Sequence, residues 1–260
     1  MVRAQKTGDL DVWLMALGRV DLPAGILQAT SEADKAAVAK FYPDGKIPAT
    51  LNVMLVKGRD YIALVDTGAP ETVERLLAAL KQAGVEPGQV THVIVTHGHF
   101  DHIGGMLRDG KPVFPSAKIL IHQREFDFWM NNANQSKAPE MLREGFALFQ
   151  KTMAGYQGRC EKLSLGVDKE ILPGLVLIPA FGHTPGHVAV LAGADGKKLF
   201  FWGDLLHAMK LQREMPHISP VFDLDPVEAA KIRKALLGRA KKEGWQTSGI
   251  HVPGPFSWPL

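Results

Sequence analysis

The sequence predicts an α/β protein in which two mixed β-sheets pack face to face and helices cover their outer faces. Short apolar segments rich in Val and Ile alternate with segments of helical periodicity along the 260 residues. Hairpin-like strand pairs come early and late in the chain, with helices between them, which favours two sheets. No linker and no repeat of fixed period interrupts this pattern. We therefore expect one domain over residues 1–260.

The predicted strands are short apolar runs, several of them bounded by Gly or Pro. They comprise residues 12–17, 51–56, 61–65, 90–96, 117–121, 175–178, 188–191 and 198–202. Four helices are predicted from capping residues and from apolar spacing on one face. They begin near Ser31, Pro70, Pro139 and Pro226 and end near Phe41, Gly84, Met153 and Gly244.

The charge of the chain does not favour a nucleic-acid partner. The formal net charge is +3, with 30 lysines and arginines against 27 aspartates and glutamates. The densest basic stretch, residues 231–242 with Arg233 near its start, lies on a predicted helix whose other face is apolar. We expect its cations to face solvent; a patch that binds a phosphate backbone is the alternative.

Cysteine usage and hydropathy limit the kind of protein further. The single cysteine, Cys160, excludes an intrachain disulfide framework and a Cys-rich zinc site. A metal would therefore depend on His and carboxylate ligands, which favours a catalytic site. The N-terminus lacks the apolar run of a signal peptide, and no segment reaches the ~18 apolar residues of a membrane span. We expect a soluble cytoplasmic protein, or a periplasmic or secreted one if a leader has been removed.

A dense group of potential metal ligands follows the predicted strand 90–96. The segment reads His97-Gly98-His99-Phe100-Asp101-His102. In an extended segment His97 and His99 point to the same side, so they can share one ion. A bend that uses the backbone freedom of nearby glycines can turn Asp101 and His102 inward to hold a second ion. Ordinary polar loop residues are the alternative, but three His and one Asp at this spacing favour a metal site.

Three further residues at predicted strand ends can complete the two ligand sets. They are His183, Asp204 and His251. Loops at strand ends commonly converge on functional sites. Asp204 is the natural bridging residue, because its two oxygens can each bind one ion.

These motifs together resemble the metallo-β-lactamase superfamily. The resemblance extends from about Leu51 to His251, the expected core, and rests on five elements in the order of the superfamily. They are Leu64-Val65-Asp66-Thr67-Gly68, the His97 to His102 segment, Gly182-His183-Thr184-Pro185-Gly186-His187, Asp204 and His251. The resemblance implies an αββα sandwich, the metallo-β-lactamase fold, with the metals at one edge of the two sheets.

The resemblance also implies a role for each histidine and aspartate. It assigns His97, His99 and His183 to the first metal, assigns Asp101, His102 and His251 to the second, and makes Asp204 the bridge. It implies that Asp66 orients the ligand loop, and we expect His187 to support the ligands without binding metal. The other histidines, His92, His122 and His217, are expected to be structural.

Details of the motifs favour the lactonase and phosphotriesterase branch of the superfamily. His99 stands where diiron flavoproteins carry a carboxylate, and Asp204 stands where many zinc β-lactamases have Cys or Ser. We find neither the glutathione-binding region of glyoxalase II nor the inserted domains of RNA-processing members. The segment that begins at Phe222-Asp-Leu-Asp-Pro is similar to methyl parathion hydrolase and its lactone-hydrolysing relatives, although Gly254 and Phe256 depart from their C-terminal pattern. His207 stands where the quorum-quenching lactonases have Tyr.

The sequence thus predicts a binuclear hydrolase of an ester-like bond in a small molecule: a lactone, an aryl ester or a phosphotriester. Two divalent ions about 3.5–4 Å apart can share a hydroxide and lower the pKa of its parent water toward ~7. Zinc is expected, while Mn²⁺, Co²⁺ and Fe²⁺ fit similar ligands. Asp101 can accept a proton from the attacking water, and His207 either contacts the leaving group or bonds to a ligand carboxylate.

Several alternatives and open points remain at the level of the sequence. A phosphodiesterase or nuclease and a β-lactamase-type amide hydrolase could use the same metals, and a binding module on an inactive scaffold would lack ligands. We expect neither a nucleic-acid nor a membrane partner. The oligomeric state is open, a homodimer included. The aromatic residues that could line an apolar pocket are Phe100, Phe181, Phe222, Phe256 and Trp258.

Overall fold

The computed structural model describes residues 1–194 and 196–259 and contains two mixed β-sheets with helices outside them. Its strands are β1 Val2–Thr7, β2 Leu10–Pro23, β3 Lys46–Lys57, β4 Ile62–Val65, β5 His92–Val95, β6 Leu107–Arg108, β7 Lys111–Pro112, β8 Lys118–His122, β9 Cys160–Leu163, β10 Lys169–Leu172, β11 Leu175–Pro179, β12 Val188–Ala194, β13 Lys197–Phe201, β14 Gln246–Ser248 and β15 Trp258–Pro259. Its α-helices are α1 Glu32–Phe41, α2 Val73–Gln82, α3 Phe100–Ile103, α4 Gln123–Met130, α5 Asn132–Lys137, α6 Glu140–Gly155, α7 Met209–Glu214 and α8 Pro226–Lys242.

Each sheet combines antiparallel and parallel strands. Over the described residues the first sheet has the order β1-β2-β3-β4-β5-β8-β9, and the last four of these strands run parallel to one another. The second has the order β10-β11-β12-β13-β14-β15, in which only the β13–β14 pair is parallel. Parallel strands end at the same edge of a sheet, so the loops after β4 and β5, and those after β13 and β14, are brought together in pairs.

The alternation of side chains along the second sheet produces two hydrophobic layers. Val188 and Val190 of β12 belong to the large core that also contains Leu14, Val53 and other residues of the first sheet. Ala189 and Leu191 belong to a separate cluster that includes residues of α8. Because successive residues of a strand face opposite sides, one strand joins the core between the sheets and the layer under the helix.

The fold class predicted from the sequence is confirmed, and all eight predicted strands and four predicted helices are present. The largest differences are in β2, which ends at Pro23, and in β3, which begins at Lys46. The short helices α3, α4, α5 and α7, the edge strands β1, β9, β10 and β15, and the short strands β6, β7 and β14 were not predicted. Helices of four to eight residues carry too few turns for a clear 3.6-residue period. The helix prediction was wrong on one point, because Arg233 of α8 is 1% exposed and does not face solvent.

Within the part of the chain that the structure describes, the helices are too short or too polar to cross a membrane.

Candidate metal centre

Loops from both sheets meet at one edge of the sandwich and carry the predicted ligands. His97 and His99 follow β5, and Asp101 and His102 lie on α3 directly after it. His183 lies between β11 and β12, Asp204 follows β13, and His251 follows β14. A backbone hydrogen bond from Val188 N to Thr96 O at 3.0 Å joins the two sheets at this edge. All seven predicted ligands therefore lie in a single cluster.

The first ligand group consists of three ring nitrogens that face one another. His97 Nε2 lies 2.8 Å from His99 Nδ1, and His183 Nε2 lies 3.1 Å from the same His99 atom. His97, His99, His183 and Asp204 form one of the groups whose ligand atoms all lie within 4.8 Å of one another. Three imidazole nitrogens directed at one place, with a carboxylate beside them, form a ligand set that suits a divalent cation.

The second group lies beside the first and consists of Asp101, His102 and His251, which again lie within 4.8 Å of one another. His251 Nε2 lies 3.3 Å from Asp101 Oδ2, and His102 Nε2 lies 3.9 Å from Asp101 Oδ1. This donor set of two imidazoles and a carboxylate suits a divalent ion such as zinc.

Asp204 lies between the two groups. Its Oδ2 is 3.4 Å from His183 Nε2 on one side and 3.3 Å from His251 Nε2 on the other, and its Oδ1 is 3.2 Å from His102 Nε2. Oδ2 thus lies between members of both groups and Oδ1 lies beside the second, so the carboxylate is placed to contact ions in both groups, as expected of a bridging residue.

Several buried polar atoms of the cluster have no hydrogen-bond partner. Among the described residues they include His102 Nε2 and Asp204 Oδ1, two of the candidate ligand atoms. Buried polar groups are nearly always satisfied, and a bound ion is one of the accepted reasons for an exception. His102 Nε2 and Asp204 Oδ1 face each other, so the residues present fit a divalent cation at this place.

The charges of the cluster follow from its burial and from its two carboxylates, Asp101 and Asp204. Burial and the neighbouring imidazoles hold the pKa of His97 and His99 well below the usual value, so both present free lone pairs at neutral pH. Burial also opposes the charged form of His183 and His251, but Asp204 and the other carboxylates outweigh it and raise the pKa of each to about 9. The carboxylates thus stabilise positive charge on the neighbouring imidazoles. Protons and metal ions compete for the same ring nitrogens.

Asp66 holds His102 from behind. This buried carboxylate accepts a hydrogen bond from Thr96 N at 2.8 Å and lies 2.8 Å from His102 Nδ1, which fixes the ring with Nε2 toward the cluster. Its φ of 58° is a left-handed conformation that few non-glycine residues adopt. The expected role of Asp66 in orienting the ligand loop agrees with these contacts.

The glycines of the ligand loop are required for space and not for an unusual φ. A Cβ on Gly98 would lie 2.5 Å from the Trp129 ring, and one on Gly105 would lie 2.2 Å from Thr67 O. Neither residue has a positive φ. The expectation that they supply backbone freedom was therefore wrong, because close packing is what excludes a side chain there.

Glu125 of α4 connects the two loops that carry the first ligand group, and the sequence did not indicate it. Its Oε1 accepts from Gly98 N at 2.8 Å and from Trp129 Nε1 at 2.6 Å. Its Oε2 accepts from Thr184 Oγ1 at 2.7 Å and from Gly186 N at 2.9 Å. One buried carboxylate with four donors therefore fixes the His97–His99 segment relative to the His183 loop.

The remaining histidines divide as expected between support of the cluster and structural contacts. His187 accepts from Asp204 N through Nε2 at 3.1 Å, and burial lowers its pKa to about 3. His92 lies beside Thr91, His122 caps α4 by accepting from Arg124 N, and His217 pairs with Asp34.

His207 lies in the cluster, with its Nε2 3.0 Å from Asp204 Oδ2. Burial lowers the pKa of His207, so its ring is neutral at neutral pH.

A cavity of about 610 Å³ opens above the cluster. Its floor includes His99, Asp101, Asp204, His207 and His251. Its walls are mostly apolar and come from β2, β3, the turn before α2, and α6: Val20, Leu22, Leu51, Ala69, Pro70, Leu142 and Leu148, together with Phe100, Trp129 and Phe222. Of the five aromatic residues considered from the sequence, Phe100 and Phe222 line this cavity. Phe181 packs instead against His122 and Arg124.

The two-sheet sandwich carries this His and Asp cluster at one edge. Residues 48–244 match the model of the metallo-β-lactamase superfamily, and the chain belongs to that superfamily. The resemblance inferred from the sequence motifs is thereby confirmed.

The matches to relatives of known sequence cover only part of each relative. Metallo-beta-lactamase domain-containing protein 1 of Xenopus laevis is 41% identical over 80 residues, which cover 31% of this chain and 30% of that protein. An N-acyl homoserine lactonase of a Bacillus species is 29% identical over 153 residues, which cover 49% of this chain and 52% of the lactonase. The matched region thus spans from about a third to about half of these two relatives.

Solved structures match over nearly the whole chain. The hydrolase AbOPH of the β-lactamase superfamily has a TM-score of 0.87 and 25% identity, covering 98% of this chain and 91% of that one. The dizinc quorum-quenching lactonase AidC, solved with a homoserine product, has a TM-score of 0.85 and 25% identity, covering 98% and 92%.

The contacts of Glu125 generate a prediction. In Glu125→Gln the new amide N–H₂ faces backbone or hydroxyl donors, so at least one donor loses its acceptor and the two ligand loops separate. We expect the affinity for Zn²⁺ to fall by about 10–100-fold, the range for residues that orient ligands. Competition with a chromogenic chelator measures it. Asp127→Asn, an exposed carboxylate on the same helix, is the matched control; equal affinities in the two variants would contradict the role of Glu125.

Proposed function

We propose that this protein is a binuclear metal-dependent hydrolase that cleaves an ester-like bond in a small, uncharged and fairly apolar substrate. Lactones, aryl esters and phosphotriesters are the substrate classes. The observation that carries the proposal is the cavity itself, which joins an apolar wall to a floor of metal-ligating side chains. Binding pockets for small molecules typically combine such walls with a few convergent polar groups.

The proposed ligand sets follow the two groups of converging atoms. His97, His99 and His183 hold the first ion, and Asp101, His102 and His251 hold the second, with Asp204 between them. Zinc is the proposed metal, because imidazole and carboxylate ligands in a compact set suit it. When bound, the two ions supply Lewis-acid activation of water and of the carbonyl or phosphoryl oxygen.

Asp101 is the proposed general base. Its side chain is 14% exposed, lines the cavity and lies at the border of the second ligand group. His102 and His251 outweigh the effect of burial and hold the pKa of its carboxyl well below the usual range, so it is ionised at neutral pH. A carboxylate at this place can take a proton from the attacking water and return it to the leaving group.

His207 is the proposed donor to the leaving group. Its Nε2 points at Asp204 Oδ2, the atom around which His183 and His251 also converge, so its N–H is directed at the reacting centre. The ring stacks on His251 with its centroid 4.9 Å away, which fixes its plane. A neutral imidazole N–H at this point can stabilise negative charge on a departing oxygen.

The charge of the cavity supports uncharged substrates. Among the described residues that line it, none is Lys or Arg, and Glu71 and Glu144 lie at its walls. A carboxylate or phosphate on the substrate would therefore find no cationic side chain in the cavity wall and could be neutralised only at the metal centre. This disfavours β-lactams, which carry a carboxylate, and nucleic acids, whose recognition depends on cations. The lactonase and hydrolase relatives support the same choice.

A substrate panel tests the proposal. The zinc-loaded protein is assayed with an aryl ester, a lactone, a phosphotriester, a cephalosporin and single-stranded RNA. We expect the protein to hydrolyse at least one of the aryl ester, the lactone and the phosphotriester. Its turnover of the cephalosporin and of the RNA should be more than about 10²-fold lower than its turnover of that substrate.

Asp204→Asn is the matched variant for this panel. The amide keeps the volume of the side chain but removes its charge and one acceptor oxygen between the two ions. We expect the activity of Asp204→Asn to be more than about 10²-fold lower than that of the unmodified protein. This loss exceeds the effect expected for residues that only orient ligands. High turnover of the cephalosporin or the RNA would overturn the proposed substrate class. Full activity of Asp204→Asn would show that Asp204 does not bridge the two ions.

The proposed role of His207 predicts a dependence on the leaving group. In a series of aryl esters with graded phenol pKa, His207→Ala should lose about 10²-fold in kcat/KM for the poorest leaving groups and much less for the best ones, because only poor leaving groups need the extra stabilisation. His217→Ala, which removes an exposed histidine paired with Asp34, is the control. An equal loss across the series would show that His207 only positions Asp204.

A further inference from the structure

Arg233 is a fully buried cation in a segment whose sequence predicts a solvated face. Its guanidinium donates to Leu205 O at 2.7 Å through Nε, to Pro216 O at 2.7 Å through Nη1, and to Asp223 Oδ2 at 2.9 Å through Nη2. An unpaired charge in this environment would be very costly, so the surrounding acceptors are a built site for one guanidinium. Neither the ligand sets nor the catalytic roles above use this residue.

Asp223 connects Arg233 to a proposed ligand. While its Oδ2 accepts from Arg233, its Oδ1 lies 2.9 Å from His183 Nδ1. A carboxylate can only accept, so Nδ1 of His183 carries a proton, and Nε2 is the nitrogen that can bind a metal. That Nε2 faces His99 Nδ1 at 3.1 Å and Asp204 Oδ2 at 3.4 Å, at the first ligand group.

The same guanidinium also holds the loop that carries Asp204. Leu205, whose carbonyl accepts from Arg233 Nε, is the residue directly after Asp204. The backbone between Asp223 and α8 supports the His183 loop in parallel, since Leu224 N donates to His183 O at 3.1 Å and Asp225 N donates to Gly182 O at 2.9 Å. Two loops from different strands are thus fixed to one helix through one side chain.

We propose that Arg233 and Asp223 form a positioning pair for the metal centre, which fixes the tautomer of His183 and the distance between His183 and Asp204. The pair acts through these two residues and does not touch the substrate. This inference rests on the proposed function, because it takes His183 and Asp204 as metal ligands.

The test separates positioning from structural support through a double variant. Arg233→Met leaves Asp223 buried without its guanidinium partner and with His183 as its remaining contact, and we expect a lower melting temperature and weaker metal binding. Asp223→Leu/Arg233→Met removes both charges and replaces them with apolar side chains of similar size. Replacement of a buried ion pair in this way is often neutral for stability, so the melting temperature of the metal-free protein should recover toward that of the unmodified protein.

Metal affinity should not recover with it. We expect the double variant to bind Zn²⁺ about 10–100-fold more weakly than the unmodified protein in chelator competition. With Co²⁺ as the probe, its visible absorption spectrum should change in position and intensity, since His183 has lost its Nδ1 acceptor. Arg239→Met, on the same helix but in an exposed pair with Asp168, is the control and should change neither measurement.

Each outcome of these measurements has one meaning. Recovery of both stability and metal affinity in the double variant would overturn the positioning role and leave a purely structural pair. An equal loss of metal affinity in Arg239→Met would also overturn the positioning role, because any change on α8 would then have the same effect. Failure of the unmodified protein to bind any divalent metal would overturn the proposed function itself, which distinguishes the two failures.

Discussion

The structure depends on one electrostatic constraint, the convergence of ring nitrogens and carboxylate oxygens at the edge of the sandwich. His97 Nε2 and His183 Nε2 each lie within hydrogen-bond distance of His99 Nδ1, and Asp204 lies between these atoms and the second group. Buried polar atoms packed this closely need a proton or a cation among them. The surrounding protein must therefore hold them in place, and the contacts behind the cluster can be understood as the means by which it does so.

A buried carboxylate lies behind each main part of the cluster. Asp66 holds His102, Glu125 holds the loops of His97, His99 and His183, and Asp223 holds the far side of the His183 ring. Each accepts hydrogen bonds from groups that would otherwise be free to rotate or shift, and so converts flexible loops into a rigid frame. Rigidity of this kind is what a hydrolytic centre requires, because small displacements of its ligands are costly.

The sequence identifies the residues of the cluster because the information about them is local. His97, His99, Asp101 and His102 occur within six residues after an apolar strand, and the other ligands each follow a strand, so their convergence follows from sheet topology. The supporting residues are different. Glu125 and Asp223 each act on a loop far away in the sequence, and Arg233 lies in a run of cations that is typical of a solvated helix face. Only the packing of α4 and α8 against the sheets reveals them, since no spacing rule relates a buried charge to a distant partner.

The most direct test of the account is a crystal structure of the zinc-loaded protein with anomalous diffraction recorded at the zinc edge. The account predicts two anomalous peaks about 3.5–4 Å apart. One should lie within bonding distance of His97, His99 and His183, the other should lie within bonding distance of Asp101, His102 and His251, and Asp204 should contact both. A single peak at full zinc loading, or two peaks of which neither contacts Asp204, would contradict the central claim.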